Sequence, residues 1–232
     1  MATREASADE TDEFVLRRMG LGDLTYVMDL HRIAFPSNVV GRLGSPLLKA
    51  YYRTFLDGPE VWARVATIRG EPAGYLVGVL DVVPYRRHRR EDHGVALAWA
   101  GTRAVFRNPS LVAVLLLRRV HLLAGRIKRR HAGARRTEDS RRLAVLSHVA
   151  VGSQHRGQGI GGALVDDFVK AAQEAGVDAA TLATLDGASE TGSFYERRDW
   201  MLVRRRVTAD HRTIRIYELP LSVDAYPSRV AR

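Results

Sequence analysis

The strongest constraint on the fold of this chain is a glycine-rich loop between an apolar run and an amphipathic run. Leu143 to Val151 is apolar except at two positions, which is typical of a buried strand. The loop Gln154 to Gly162 follows, and apolar residues then recur at helical spacing from Ala163 to Ala175, with Gly176 as the helix stop. Glycines let a backbone approach a ligand closely, and the free N–H groups at a helix start favour a phosphate. The segment therefore predicts a strand–turn–helix unit that holds a phosphorylated cofactor.

The loop fits neither of two common nucleotide-binding motifs. Its glycines, Gly157-x-Gly159-x-Gly161, do not complete the dinucleotide fingerprint G-x-G-x-x-G, and the next apolar run has no acidic residue at the expected distance. A P-loop requires a Gly-Lys-Ser/Thr ending, which this loop lacks. A glycine-rich turn without a ligand is the alternative, but four glycines between residues 157 and 162 are costly unless the backbone needs them.

The basic charge of the chain is concentrated in one segment. The 232 residues include 36 Lys and Arg against 26 Asp and Glu, a formal charge of +10. Residues 85–142 alone hold 16 basic and four acidic residues, so the rest of the chain is close to neutral.

The lack of cysteine excludes disulfides, thiolate nucleophiles and Cys-ligated metal centres. His88 and His93 enclose arginines that repel a cation, so we expect a solvated charged loop there and no metal.

The remaining pattern predicts a single domain with an insertion. Residues 1–13 are expected to be a disordered tail, 14–220 the domain, about 85–142 a basic insertion with an apolar helix at 109–124, and 221–232 a C-terminal tail. Upstream of the insertion we expect a strand at Phe14–Met19, helices from Leu24 and Ser45, and a hairpin of Val61–Ile68 and Ala73–Leu80. Downstream of the glycine loop we expect a strand at Val177–Leu185, a helix at Ser189–Arg198, and a hairpin of Met201–Ala209 and Arg212–Leu219.

In these residues the chain resembles the GNAT superfamily of N-acetyltransferases. The family signature Arg/Gln-x-x-Gly-x-Gly/Ala is met by Arg156, Gly159 and Gly161, and a Phe194-Tyr195 pair follows at the right distance. The resemblance covers about residues 14–80 and 143–219. It implies an α/β (α+β) fold: a mixed, mostly antiparallel central sheet flanked by helices and splayed between the fourth and fifth strands.

The resemblance also implies acetyl-CoA as the co-substrate. Its diphosphate would lie on the amides of the glycine loop, and its pantetheine arm would pair with the backbone of the preceding strand. The cofactor-binding residues expected on this basis are Val149, Val151, Arg156, Gly157, Gln158, Gly159, Ile160, Gly161 and Gly162.

Two residues are candidates for proton transfer. Tyr195 stands where the family often has a general acid, and a phenol with its ordinary pKa near 10 can donate to a departing thiolate. A core tyrosine is the alternative. His148, on the motif strand, would suit deprotonation of an ammonium group if it titrates near neutrality, although a structural histidine is the alternative. His31 lies where the family places acceptor-binding residues, or is a surface histidine.

We therefore expect an N-acetyltransferase that uses acetyl-CoA and a primary amine of a small molecule, such as an amino sugar, by direct attack. Protein or peptide amines, longer acyl chains, and a non-catalytic nucleic-acid or membrane-binding module stay open as alternatives. The insertion at 85–142 is expected to pack on the core or in a homodimer, with contact to a membrane surface or an acyl carrier as alternatives and no nucleic acid partner. Residues 1–13 lack a signal-peptide pattern and the apolar run Leu111–Leu117 is too short for a span, which predicts a cytoplasmic protein.

Overall fold

The computed structural model describes residues 13–42, 44–91, 141–186, 189–208 and 212–222. The strands are β1 (Phe14–Arg18), β2 (Val61–Ile68), β3 (Glu71–Val79), β4 (Leu143–Val151), β5 (Ala179–Leu185), β6 (Met201–Val207) and β7 (Thr213–Pro220). The helices are α1 (Leu24–Ala34), α2 (Val39–Arg42), α3 (Ser45–Arg53), α4 (Val82–Glu91), α5 (Ile160–Glu174) and α6 (Ser189–Glu196).

The described strands form one seven-stranded sheet in the order β1-β2-β3-β4-β5-β7-β6. Neighbouring strands are antiparallel except β4 and β5, which are parallel. The β2–β3 hairpin turns at Arg69 and Gly70, which both have positive φ, as a two-residue hairpin turn requires. The mixed, mostly antiparallel sheet confirms the predicted fold class.

The fourth and fifth strands separate soon after they begin. Only three residue pairs join them, which are Leu143 with Ala179, residue 144 with residue 180, and residue 145 with residue 181. From Leu146 to Val151, β4 pairs with β3 but not with β5, while β5 continues along β7. The predicted splay is therefore present, and it leaves a length of β4 backbone open on one side.

The two faces of the sheet bury separate hydrophobic clusters. One cluster packs the sheet against α5, with Ile160, Leu164 and Phe168 buried. Gly78 on β3 allows this contact, because a Cβ atom there would lie 2.6 Å from Cε2 of Phe168. The other cluster packs the opposite face against α1 and α3, and its largest buried side chains include Tyr52 and Tyr75.

Two local expectations are corrected by the structure. Helix α5 begins at Ile160, inside the predicted loop, because Gly159 takes the N-cap position with φ of +81°. The solvated loop expected around His88 is wrong, because Val82–Glu91 forms α4. This helix is anchored by Tyr85, whose ring stacks on Phe55 at 5.5 Å.

Several predictions concern residues outside the described ranges. These are the tail at residues 1–12, the apolar helix at 109–124 within the insertion, and residues 223–232. No helix within the described ranges has the length and the apolar composition needed to cross a membrane.

Candidate active site

β4 ends in a loop whose backbone conformation depends on glycine. The Gly152 N–H donates to the Ala73 carbonyl oxygen at 2.8 Å, and a 3-10 turn, Ser153–His155, follows. Gly157 and Gly159 both have φ of +81°, in the left-handed region that other residues rarely adopt. A Cβ at either position would meet no atom within 4 Å. The need for glycine therefore comes from the backbone conformation and not from packing.

The loop leads directly into the amino-terminal turn of α5. The Ala163 N–H donates to the Gly159 carbonyl oxygen at 3.0 Å, so the amides of residues 160–162 have no acceptor within the helix. The first turn of this helix contains no acidic residue. Free N–H groups at the positive end of a helix dipole suit an anion such as a diphosphate.

The side chains of the loop lie on its exposed side. Arg156 is exposed, and its Nε donates to the Val151 carbonyl oxygen at 3.4 Å. Gln158 is also exposed, and its Nε2 lies 3.5 Å from the Gln154 carbonyl oxygen. Arg156 adds a positive charge to the loop that precedes the free amides.

A second arginine approaches the same turn from the segment after α6. Arg198 lies so close to Gly162 that a Cβ there would collide with its guanidinium. The guanidinium also stacks over the Phe194 ring at 4.4 Å, and its Nε is 3.5 Å from Oδ1 of the exposed Asp166. Gly161 faces the same ring, with 3.9 Å between its Cβ position and Phe194. Because Gly161 and Gly162 have no side chains, Phe194 and Arg198 can pack against the first turn of α5 beside the loop.

The backbone of Val149 and Val151 faces the open side of β4. In an antiparallel pair, residues whose N–H and C=O groups bond to the partner strand alternate with residues whose groups point away from it. The Gly152 N–H bonds to Ala73 of β3, so the backbone groups of Gly152 face β3. In the same register, Leu76 of β3 lies opposite Val149, which is an odd number of residues before Gly152. Val149 and Val151 therefore direct their backbone groups away from β3, toward the gap left by β5. An extended chain could pair with them there.

A bulge interrupts β4 at the point where the gap opens. Val77 pairs with His148, whereas the next residue, Gly78, pairs with Leu146, so Ser147 is an extra residue on β4. Bulges bend a strand and redirect its side chains. Here the bulge directly precedes His148, whose ring lies among residues of α1 and α3 on the face opposite α5.

His148 is surrounded by aromatic side chains. Its ring centroid lies 4.9 Å from that of His31, 5.1 Å from Phe35 and 5.8 Å from Tyr51, and the Tyr52 ring lies 6.2 Å away. Nε2 of His148 is 3.1 Å from the Tyr51 hydroxyl. His148 keeps some exposed surface although protein atoms surround it closely, so a small molecule could reach it from this face.

His31 is fully buried, which corrects the alternative of a surface histidine. Its Nδ1 lies 2.7 Å from the Tyr52 hydroxyl, which in turn lies 2.7 Å from the Tyr75 hydroxyl. Its Nε2 is buried and lies beside Gly41, where a Cβ would come within 3.3 Å of it. We call His31, Tyr51, Tyr52, Tyr75 and His148 the histidine–tyrosine cluster.

Burial keeps every member of this cluster neutral at pH 7. Burial, with a smaller contribution from His31, lowers the pKa of His148 to about 3. Burial, assisted by the charge of Arg32, lowers the pKa of His31 to about 4. Burial raises the pKa of the Tyr51 hydroxyl well above its usual value, so that it stays protonated. In the free protein His148 therefore does not titrate near neutrality, and its role as a base stays a prediction.

Tyr195 lies in the other hydrophobic cluster, between α6 and β7. It is 4% exposed, and its ring contacts Phe194 at 5.0 Å, Trp200 at 5.8 Å and Tyr217 at 6.1 Å. Burial raises the pKa of Tyr195, so that its hydroxyl keeps its proton. The structure does not bring Tyr195 together with His148, and its role as an acid stays a prediction.

Three residues of the cluster were not singled out by sequence reasoning. Tyr51 and Tyr52 follow one another on a predicted helix, and Tyr75 lies within an apolar strand, so each fits an ordinary core position. Their hydroxyls meet the histidines only in the folded chain. Within the described residues, no group of three or more metal-binding side chains comes together.

Known proteins are similar to this chain in a family pattern and in their fold. Residues 118–201 match the family model of the acetyltransferase (GNAT) domain. A comparison with curated proteins found no match.

Among solved structures, the chain is similar to the ribosomal-protein-S18-alanine N-acetyltransferase from Escherichia coli, with 14% identity, a TM-score of 0.54 and coverage of 95% of this chain and 100% of that one. It is similar to NAA60 of Arabidopsis thaliana, solved with a bisubstrate analogue, with 14% identity, a TM-score of 0.57 and coverage of 90% and 98%. It is also similar to an N-acetyltransferase from Staphylococcus aureus Mu50, with 11% identity, a TM-score of 0.56 and coverage of 90% and 99%. At these identities the likeness shows the fold.

Proposed function

We propose that the chain is an acetyl-CoA-dependent N-acetyltransferase of the GNAT superfamily, and that it transfers the acetyl group to a primary amine of a small molecule, such as an amino sugar or another metabolite. The observation that carries this proposal is the continuity between the open side of β4 and the glycine loop. One surface offers backbone groups for an extended arm and then free amides for an anion. Coenzyme A has those two parts in that order.

The described residues suggest how acetyl-CoA would be held. The amides of residues 157–162 would receive the diphosphate, with Arg156 beside them as a counter-charge. The backbone of Val149 and Val151 would pair with the pantetheine arm. With acetyl-CoA held in this way, its thioester would lie near the bulge at Ser147.

The proposed reaction is direct attack of a neutral amine on the thioester carbon. The new C–N bond forms first, and a backbone N–H of β4 would hold the negative charge that develops on the carbonyl oxygen. The C–S bond then breaks, and Tyr195 would give its proton to the departing thiolate and regain one from water before the next cycle. The surplus proton on nitrogen leaves to water, directly or by way of His148. The chain contains no cysteine, so no acyl-thiol intermediate forms on it.

A hydrogen bond between the segment after α1 and the start of β7 supports a small acceptor. Nη2 of Arg212, next to the start of β7, donates to the Ser37 carbonyl oxygen at 3.3 Å. Ser37 lies two residues after Phe35, whose ring contacts His148. This hydrogen bond therefore links the segment after α1 to the start of β7, and we take it as support for an acceptor smaller than an extended peptide.

The experiment that tests the proposed function is release of free CoA from acetyl-CoA in the presence of an amine panel. The panel contains amino sugars, amino acid amides, polyamines and short peptides, and propionyl-, octanoyl- and palmitoyl-CoA are run in parallel. We expect the highest kcat/KM with acetyl-CoA and a compact amine. Faster turnover of peptides than of any small amine would contradict the acceptor class, and a preference for long chains would contradict the acetyl donor.

A further inference from the structure

Building on the proposed function, we infer that Arg198 is a further cofactor-binding residue, whose guanidinium contacts the diphosphate of coenzyme A at the first turn of α5. This role rests on the acetyl-CoA site proposed above, to which it adds a side chain from the segment after α6. The residues expected from the sequence to hold the diphosphate, Arg156 to Gly162, are contiguous in the chain. Arg198 reaches the same turn only through the fold.

The guanidinium of Arg198 lies at the turn of α5 that carries the free amides. The helix begins at Ile160, so Gly162 is its third residue and its N–H is one of those amides. A Cβ at Gly162 would collide with Nη2 of Arg198 and would lie 3.1 Å from its Cζ. The Cα–Cβ bonds of an α-helix tilt toward the amino terminus. The guanidinium occupies that direction, so it is displaced from Gly162 toward the end of the helix where the glycine loop enters.

Two contacts hold the guanidinium in this position. Its Cζ lies over the Phe194 ring at 4.4 Å, a cation–π contact that requires none of the N–H donors of arginine. The ion pair with Asp166 joins Nε to Oδ1 at 3.5 Å, which is the outer limit of a hydrogen bond. Nη2 is the atom nearest to the Cβ position of Gly162. It is therefore the donor best placed for an anion that rests on the amides of this turn.

The side chain of Arg198 is also accessible to a ligand. It is 30% exposed, and the side chain of its partner Asp166 is 66% exposed. Water screens an ion pair of this kind, so the carboxylate holds the guanidinium only weakly. A diphosphate bound to the amides is multiply charged and accepts charge-assisted hydrogen bonds from arginine, which are stronger than neutral ones. The ligand can therefore compete with Asp166 for this side chain.

A purely structural arginine is the competing explanation. The ion pair with Asp166 links the segment after α6 to α5, and the contact with Phe194 adds to the same packing. If packing were the whole role of Arg198, loss of either member of the ion pair would affect the protein in the same way. If Arg198 binds the diphosphate, only its own loss should weaken CoA binding. The two explanations therefore differ in the effect of replacing Asp166.

Calorimetric titration of the full chain with CoA at about 0.15 M salt tests the contact. The variant is Arg198→Gln, and the matched control is Arg197→Gln, which removes the same charge from an exposed neighbouring position. We expect the Kd to rise by about tenfold or more in Arg198→Gln, and by about twofold or less in the control. An unchanged Kd in Arg198→Gln, or an equal rise in both variants, would overturn the inference.

Replacement of Asp166 by Asn separates binding from packing and leaves Arg198 in place. We expect the Kd for CoA to stay the same or to fall, because a competing carboxylate is removed from beside the guanidinium. Urea denaturation of the same variants measures the loss of packing. A rise in Kd in Asp166→Asn as large as that in Arg198→Gln would overturn the inference, since the ion pair itself would then be what matters.

A third titration identifies the phosphate group. The ligand 3′-dephospho-CoA keeps the diphosphate and lacks the ribose phosphate, so Arg198→Gln should weaken its binding by the same factor as that of CoA. A loss seen with CoA alone would assign Arg198 to the 3′-phosphate and overturn the inference. Failure of the unaltered chain to bind either ligand would instead contradict the proposed function.

Discussion

The hydroxyl of Tyr51 on α3 lies 3.1 Å from Nε2 of His148 on β4, and this contact joins the helical layer to the strand that borders the proposed acyl site. His148 directly follows the bulged residue of β4, so its ring orientation depends on what it touches on the helices. Tyr51 supplies the one hydrogen bond that the described residues make to this ring, and we therefore expect Tyr51 to position it.

Replacement of Tyr51 by Phe tests that role. The ring packing is kept and one hydrogen bond is lost, for which we expect a decrease in kcat/KM of about fivefold to tenfold, equivalent to about 1 kcal/mol. The matched control is Tyr85→Phe, which removes a hydroxyl 2.8 Å from Thr54 Oγ1 without touching His148. Steady-state kinetics should separate the two variants. Equal activities for both would contradict a positioning role for Tyr51.

Replacement of Gly159 by Ala tests the loop. Both Gly159 and Gly176 have positive φ, at the start and just after the end of α5, so alanine at either site costs about 1–2 kcal/mol of stability. Only Gly159 lies in the proposed diphosphate site. We expect both variants to lose similar stability in chemical denaturation, and only Gly159→Ala to lose affinity for acetyl-CoA in calorimetry. A parallel loss of affinity in Gly176→Ala would point to a global effect.

Tyr195→Phe tests the proposed acid. If Tyr195 protonates the thiolate, kcat should fall by about 10²-fold while the Kd for acetyl-CoA stays unchanged. Tyr217→Phe is the matched control, because Tyr217 is buried in the same cluster and donates to Glu196 Oε1 at 3.0 Å. We expect that variant to lose stability and keep its turnover rate. Unchanged kcat in Tyr195→Phe would leave Tyr195 with a packing role only.

Stability should decrease on acidification below about pH 6.5. The unfolded chain protonates its histidines near their ordinary pKa of about 6.5, whereas His31 and His148 stay neutral in the fold down to about 4 and about 3. The unfolded state therefore binds more protons in this window, and each histidine should withdraw about 2 kcal/mol between pH 7 and pH 5.

Urea denaturation at pH 7.5 and pH 5 measures this effect. The doubly substituted H31N/H148N protein should be less stable at pH 7.5 and should lose much less of its stability at pH 5. Asp23, whose pKa the ion pair with Arg17 lowers, acts at lower pH and does not disturb the comparison. An equal pH dependence in both proteins would show that these rings titrate normally.

The individual strands and the loop could be predicted because their signals are local, whereas the order and splay of the sheet were implied only by the family resemblance. Strand β4, the glycines after it and the apolar spacing of α5 are contiguous in the chain, and each has one dominant structural meaning. The start of α5 was misplaced by three residues, because a glycine in the left-handed conformation acts as the N-cap and lets the helix begin within the glycine run. Such a cap leaves no polar side chain as a signal.

The histidine–tyrosine cluster could not be predicted because its members come from distant segments. Tyr52, Tyr75 and His31 belong to α3, β3 and α1, and each alone resembles a core or surface residue. The burial of His31 depends on the close approach of Gly41 on α2, a four-residue helix without a sequence signal. The run around His88 was expected to be a loop because its arginines dominate the pattern, whereas the packing of Tyr85 determines the helix.

The central claim is that the open side of β4 and the turn into α5 together bind the thioester form of coenzyme A. Calorimetric titration of the full chain with acetyl-CoA tests it most directly, with S-acetyl-pantetheine as the matched ligand that lacks the diphosphate. We predict one saturable site for acetyl-CoA, clearly weaker binding of S-acetyl-pantetheine, and slower amide hydrogen exchange at residues 149–162 in the complex. A folded protein that binds no CoA thioester, or binds it without protecting these amides, would contradict the account.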